Sequence, residues 1–347
     1  MLSLLDPIRV GDLDLPNRVF MAPLTRSRAS EGRVPNDLMR EYYLQRAGAG
    51  MILSEATSVT PMGVGYPDTP GIWSEAQVEG WKPITEAIHG AGGHVFLQLW
   101  HVGRISDPFF LGGELPVAPS AIAQEGTVTR IPEPHAYVTP RALLLDEIPE
   151  VVEAYRLGAA NAKRAGFDGV EVHGANGYLL QQFLHLATNV RDDEYGGSLE
   201  NRARLMMEVT DACIDVWGPQ RVGMHLAPRG AGPEEDAEET FGYVARELRK
   251  REIAFVCARE ERTDGWVSDT VRREFGGVFV ANEKFDRASG EETVESGAAD
   301  AVAYGRLYIA NPDLAERFAG NAPLNVPDPS TFYAPGAKGY TDYPTVG

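Results

Sequence analysis

The sequence predicts an α/β chain folded as a (β/α)8 TIM barrel, with a small β-hairpin before the first strand and a long excursion after strand 3. Three observations carry that expectation. Apolar runs short enough to be buried parallel strands recur eight times along the 347 residues. Most are followed by a helical pattern with apolar residues three and four apart. The turn after the first run, PLTRSR, lacks the glycine fingerprint that an open dinucleotide-binding sheet places there. Barrels of this kind routinely reach this length as one unit, so 1–347 is expected to be a single domain.

Taken in order, residues 7–17 give two short segments about Gly11 and Asp12, a hairpin expected to act as a lid. Residues 18–25 (RVFMAPLT) are the first strand. A helix follows from about Pro35, with Leu38, Met39 and Tyr42 at helical spacing and Gly48 and Gly50 as stops. Residues 51–57 (MILSEAT) form the second strand. Ser74 with Gln77 reads as a capping box, opening a helix that buries Val78, Trp81 and Ile88 and closes at Gly92 and Gly93. The third strand, 94–101 (HVFLQLWH), puts Gln98 and Trp100 on one side by its period of two. Residues 102–145 then turn Pro-, Gly- and Thr-rich for far longer than an ordinary strand-to-helix loop, which marks a functional excursion. Asp146 is expected to cap the next helix, with Val152, Tyr155 and Ala159 inward and Gly166 as its stop.

The fourth strand carries Phe167, Val170 and Val172 and ends in His173. Asn176 and Tyr178 follow at once. An imidazole, an amide and a phenol at one strand tip can together grip an oxygen and move a proton. Ser198 starts a helix with Leu205, Val209, Cys213 and Val216 periodic, ending at Gly218. Strand five is 221–227 (RVGMHLA). An acidic start over 233–239 suits the positive end of a helix whose Phe241, Val244 and Leu248 face inward. Strands six, seven and eight are 253–258, 277–281 and 300–304, after which Asn311 caps and Pro312 opens a helix. In a barrel the C-terminal strand ends share one mouth, so Thr25, Ala56, Gln98, Trp100, His173, His225 and Arg306 become neighbours.

Composition narrows the partners. A formal net charge of -18 argues against general binding to nucleic acid or anionic membranes, and points to small molecules. The only cysteines, Cys213 and Cys257, lie in apolar contexts and read as buried thiols, which fits a reducing compartment. The opening MLSLLDPIRV has neither a basic leader nor a long apolar core, and no run approaches a membrane span; a cytoplasmic protein is expected, as a monomer or homodimer. A metal-dependent hydrolase using His101, His173 and His225 would lack a carboxylate cluster to complete its site, so no metal is expected. Two cysteines cannot hold the iron–sulfur cluster of a larger barrel reductase.

The motifs MAPLTRSRA at Met21, EYYLQRA at Glu41, LQLWHVGR at Leu97, HGANGYLLQQFL at His173, DEYGGSLENR at Asp193, YGRLYIANPDL at Tyr304 and GYTDYP at Gly339 follow one another over nearly the whole length. In that set the chain resembles the Old Yellow Enzyme family of FMN-dependent ene-reductases, in its alkene and N-ethylmaleimide reductase branch. The resemblance implies FMN over the barrel mouth, reduced by NAD(P)H and reoxidised by an activated alkene, an α,β-unsaturated carbonyl or nitro compound. It implies that His173 and Asn176 bind the activating oxygen and that Tyr178 protonates the α-carbon. Thr25 would sit near the flavin O4, with Pro23, Leu24 and Ala56 beside the ring and Gln98 at the pyrimidine edge. Tyr66, Trp100 and Tyr333 would wall the substrate cavity. Gly305 and Arg306 would take the phosphate. A main role in nitroester or nitroaromatic reduction, or a non-catalytic flavin carrier, is the alternative reading.

Two positions depart from the family pattern. Glu283 and Lys284 stand where paired glycines are common near the phosphate; Lys284 would add a charge and Glu283 must point away. His225 stands where arginine usually lies beside the flavin N1 and O2. Arginine is a permanent cation and histidine titrates close to neutrality, so a more pH-dependent flavin potential is expected. Arg229 swinging in to supply the charge, or His225 serving only as a neutral donor, are the other readings.

Overall fold

A computed structural model describes residues 2–229 and 237–346. At its centre eight parallel strands close into a ring: β1 (Val19–Met21), β2 (Ile52–Leu53), β3 (Val95–Trp100), β4 (Gly169–Gly174), β5 (Val222–Leu226), β6 (Phe255–Arg259), β7 (Val278–Asn282) and β8 (Ala301–Tyr304). Each pairs with the next, and β8 returns to β1. Thr57–Ser58 adds a short parallel piece beside the end of β3.

The period of two divides the strands into two cores. Phe20, Leu53, Phe96, Phe255, Val280 and Ala301 face inward and fill the barrel, whereas Leu97, Val170, Val172, Val256 and Val302 face the surrounding helices. Gly223 leaves room for the interior rings: a Cβ there would stand 2.2 Å from the Phe255 ring, which itself meets Phe96 edge-on at 5.6 Å.

The helices are α1 (Asp37–Leu44), α2 (Glu75–Gly90), α3 (Ile148–Arg164), α4 (Leu179–Leu184), α5 (Leu199–Trp217), α6 (Ala237–Lys250), α7 (Val267–Phe275), α8 (Arg287–Glu295), α9 (Arg306–Ala310) and α10 (Leu314–Gly320). Asn36 caps α1, and the Ser74–Gln77 capping box opens α2. Two expected caps are wrong. A 3-10 turn, Leu145–Glu147, leads into α3, so Asp146 lies within that turn; Val151 is buried with Tyr155 and Ala159, and Val152 packs partly buried against the same core. Asn311 closes α9 and α10 is preceded by Asp313, because the chain after β8 breaks into two short helices. The acidic start expected before α6 falls partly on 233–236, outside the described residues.

The hairpin pairs Ile8–Val10 with Leu13–Leu15, and its apolar residues join the barrel interior. Gly11, at φ +57, fits against the Gln220 carbonyl just before β5. It therefore closes the N-terminal end of the barrel: the expected lid is a floor, opposite the mouth. The 102–145 excursion carries a ladder of Val117–Ala118 with Arg141–Ala142 and a small hairpin of Thr127–Val128 with His135–Ala136.

Candidate active site

Where the strands end, a cavity of about 490 Å³ opens over the barrel mouth. Pro23, Leu24 and Thr25 follow β1, Ala56 follows β2, Gln98 and Trp100 end β3, and His173, Asn176 and Tyr178 come from β4 and its loop. His225 lies one residue before β5 ends at Leu226, Lys284 follows β7, and Gly305 and Arg306 follow β8; Tyr333 reaches in from the C-terminal segment. All of these expected residues line the one cavity. Tyr66 stands behind that lining, stacked on Trp100 at 5.6 Å. Arg259, Asn282 and Phe332 also line the cavity and were not among the expected residues.

The tip of β4 sets the polarity of its donors. The His173 Nδ1 accepts the Ala175 N–H at 3.3 Å, which leaves Nε2 to carry the proton. Burial first, and His225 second, hold His173 well below the ordinary histidine range, so the imidazole is neutral. Asn176 has φ 59, a left-handed conformation that asparagine tolerates, and its Oδ1 accepts from Arg259 Nη1 at 2.9 Å. A guanidinium only donates, so the Asn176 amino group is the end free to donate elsewhere. The Tyr178 hydroxyl lies 3.1 Å from the Tyr66 hydroxyl, and its ring meets Trp100 and His173 edge-on at 5.1 Å each. Burial pushes the Tyr178 phenol well above its ordinary range, so it stays protonated. The Trp100 Nε1 is buried with no partner among the described residues.

Beneath the cavity Glu171 is fully buried inside the barrel. By the period of two it points the same way as His173, one layer deeper. It accepts from Gln98 Nε2 at 2.8 Å and pairs with His225 Nδ1 at 3.2 Å. Those bonds hold Gln98 and His225 so that Gln98 Oε1 and His225 Nε2 remain for a ligand above. Arg229 does not swing in: its Nε is held 2.7 Å from Glu260, its side chain is half exposed, and it does not line the cavity.

At the other end of the cavity, Gly305 leaves its backbone open, since a Cβ there would meet only the tip of Leu24 at 3.3 Å. Arg306 is exposed beside it, with no ion-pair partner among the described residues. Glu283 and Lys284 adopt φ 104 and φ 58. The backbone thus keeps a shape that suits glycine although both residues carry side chains. Glu283 is drawn to Arg259 at 2.5 Å, and Lys284 turns out to Glu261 at 2.6 Å, so Lys284 contributes no unpaired charge here.

Arginines in the first and second motifs place the C-terminal wall. Arg26 donates to the carbonyls of Phe332 (3.0 Å) and Gly339 (2.8 Å), Arg28 to Thr331 (2.9 Å), and Arg46 to Tyr308 and Ile309 (2.9 Å each). They also stack on Tyr42 and Tyr340. Buried beside them is Glu55, whose carboxyl burial pushes up to about 7.

The chain matches the family described as NADH:flavin oxidoreductase / NADH oxidase over residues 3–325. It is 43% identical to a putative 12-oxophytodienoate reductase 2 of Oryza sativa subsp. japonica, covering 99% of this chain and 94% of that one. It is equally 43% identical to 12-oxophytodienoate reductase 2 of Arabidopsis thaliana, covering 99% and 96%. Among solved structures, the old yellow enzyme homologue from Zymomonas mobilis superposes with a TM-score of 0.95 at 44% identity, covering 99% of both chains. Morphinone reductase in complex with tetrahydroNAD superposes with a TM-score of 0.96 at 48% identity, covering 100% of this chain and 98% of that one.

Proposed function

Because this chain belongs to the NADH:flavin oxidoreductase family, the FMN-dependent Old Yellow Enzymes, we propose that it reduces the C=C bond of α,β-unsaturated carbonyl or nitro compounds at the expense of NAD(P)H. The residues present fit FMN. Gln98 and His225 leave polar atoms at the cavity floor, as the edge of a pyrimidine ring requires. Gly305, Arg306 and the 282–284 backbone offer an open anion cradle at the other end. FMN held by these residues would supply the two-electron hydride chemistry that links the nicotinamide to the alkene.

The chain's own residues do the rest. His173 Nε2 and Asn176 Nδ2 donate to the carbonyl or nitro oxygen. Hydride arriving at the β-carbon drives negative charge onto that oxygen, and each preplaced donor in a dry site stabilises it by roughly 3–4 kcal/mol. The α-carbon then takes a proton from Tyr178, whose buried phenol remains protonated until a carbanion-like centre asks for it. Trp100, with Tyr66 behind it, and Tyr333 form the aromatic wall that fixes the substrate plane. The nicotinamide shares the same donors and leaves before the alkene binds. The relatives' names place 12-oxophytodienoate and morphinone in the substrate role for those proteins.

The observation that carries this reading is the convergence of a neutral imidazole, an oriented amide and a protonated phenol on one cavity. A steady-state panel of 2-cyclohexen-1-one, N-ethylmaleimide and a nitroalkene with NADH and NADPH tests it. Saturated products are expected; reduction of the carbonyl to an alcohol with the C=C bond intact would refute it.

A further inference from the structure

The family pattern accounts for the His173–Asn176 pair but not for what holds the amide in place. Asn176 follows β4 in a left-handed backbone conformation, so its Cα position is fixed and only side-chain rotation decides which end of the carboxamide faces the cavity. That last torsion is broad and roughly two-fold, so an unsupported amide would present Oδ1 as readily as Nδ2. A carbonyl end facing an oxygen that gains negative charge would oppose the reaction.

Arg259 removes the ambiguity. It ends β6, opposite Asn282 of β7, and lines the cavity. Its Nη1 donates to Asn176 Oδ1 at 2.9 Å, and its Nε is anchored 2.5 Å from Glu283 Oε2. Glu283 itself lies in the loop whose left-handed backbone turns toward the anion end of the cavity. Building on the oxygen-site reading above, we infer that Arg259, anchored by Glu283, is a positioning residue that orients the Asn176 carboxamide with its amino group toward the substrate oxygen. In this role Arg259 acts through Asn176, and Glu283 acts through Arg259.

The test is a double-mutant cycle on the FMN-loaded enzyme with Arg259→Met, Asn176→Ala and the pair. The readouts are kcat/KM for 2-cyclohexen-1-one, the Kd of the unreactive cyclohexanone from flavin absorbance, and the Kd of FMN from fluorescence. Arg259→Met should lower kcat/KM about tenfold in the parent and by less than about twofold in the Asn176→Ala background, since its effect runs through the amide. Cyclohexanone binding should follow the same pattern, Arg259→Lys should recover part of the loss, and FMN affinity should hold. Glu283→Gln should give a smaller loss of the same kind. Equal losses in both backgrounds, a loss matched by weaker FMN binding, or no loss at all with Arg259→Met would overturn the inference. If Asn176→Ala itself changes neither kcat/KM nor cyclohexanone binding, the oxygen-site reading fails, and this inference with it.

Discussion

Tyr178→Phe removes one oxygen atom from the site and little else. The ring's edge contacts with Trp100 and His173, both at 5.1 Å between centroids, do not need the hydroxyl. The variant forfeits the 3.1 Å bond to Tyr66, a loss of about 1 kcal/mol in stability. The catalytic loss is far larger. A positioned general acid contributes roughly 10²- to 10⁴-fold, about 3–5 kcal/mol of barrier, and among the described residues the phenol's one hydrogen-bonded hydroxyl partner is Tyr66. Reduction by nicotinamide needs no proton from this residue. Stopped-flow absorbance of the bound flavin separates the two halves. Bleaching by NADH should keep its rate within about twofold, while recovery with 2-cyclohexen-1-one should slow at least 100-fold, about 2.7 kcal/mol. If both halves slow alike, or if recovery slows by less than about threefold, Tyr178 is not the proton donor.

Other outcomes follow from the same geometry. Burial lowers His173 and raises Tyr178, and both shifts favour the neutral forms, so the enone reoxidation rate should show no ionisation of either group between about pH 6 and 9; a step in that window abolished by His173→Asn would contradict it. For Glu55 burial raises the folded carboxyl to about 7, above the ordinary carboxylate range, so the folded state binds its proton more tightly. The associated stability is full below about pH 4.5 and is lost as pH rises through about 7, a swing of roughly 3 kcal/mol. Urea unfolding should therefore show Glu55→Gln gaining on the parent by that order between pH 4.5 and 8; a pH-independent difference would remove the effect. If the flavin lies as proposed, His225→Arg would put a permanent cation near its reduced ring, and potentiometry should find a midpoint higher by about 30 mV, about 1.4 kcal/mol for two electrons. An unchanged potential would leave His225 as a hydrogen-bond donor only.

Most of the barrel was legible because buried parallel strands are short apolar runs, and motif residues at their ends had nowhere to go but the mouth. Asn176 and Tyr178 were readable for that reason. Arg259 was missed because the sixth run was ended at Ala258, where apolar character stops, whereas the strand continues one residue into the cavity. Glu171 carried a usable signal, since it lies two residues before His173 and must share its face inside the barrel. The roles of Arg26, Arg28 and Arg46 lie in long-range bonds to carbonyls some 260–310 residues away, which no local pattern encodes. The hairpin's position was equally hidden, because two short amphipathic strands fit either end of a barrel. Asp146 and Asn311 were misread as N-terminal caps because such residues are also common in turns and at helix C-termini.

On the proposed mechanism donors, acid and flavin act together on one bound alkene. Anaerobic titration of the FMN-loaded protein tests it most directly. NAD(P)H should bleach the yellow colour, one equivalent of 2-cyclohexen-1-one should restore it, and cyclohexanone should be the sole product. A polypeptide that stays colourless after incubation with FMN, or a flavin that recovers without forming the saturated ketone, would contradict the account.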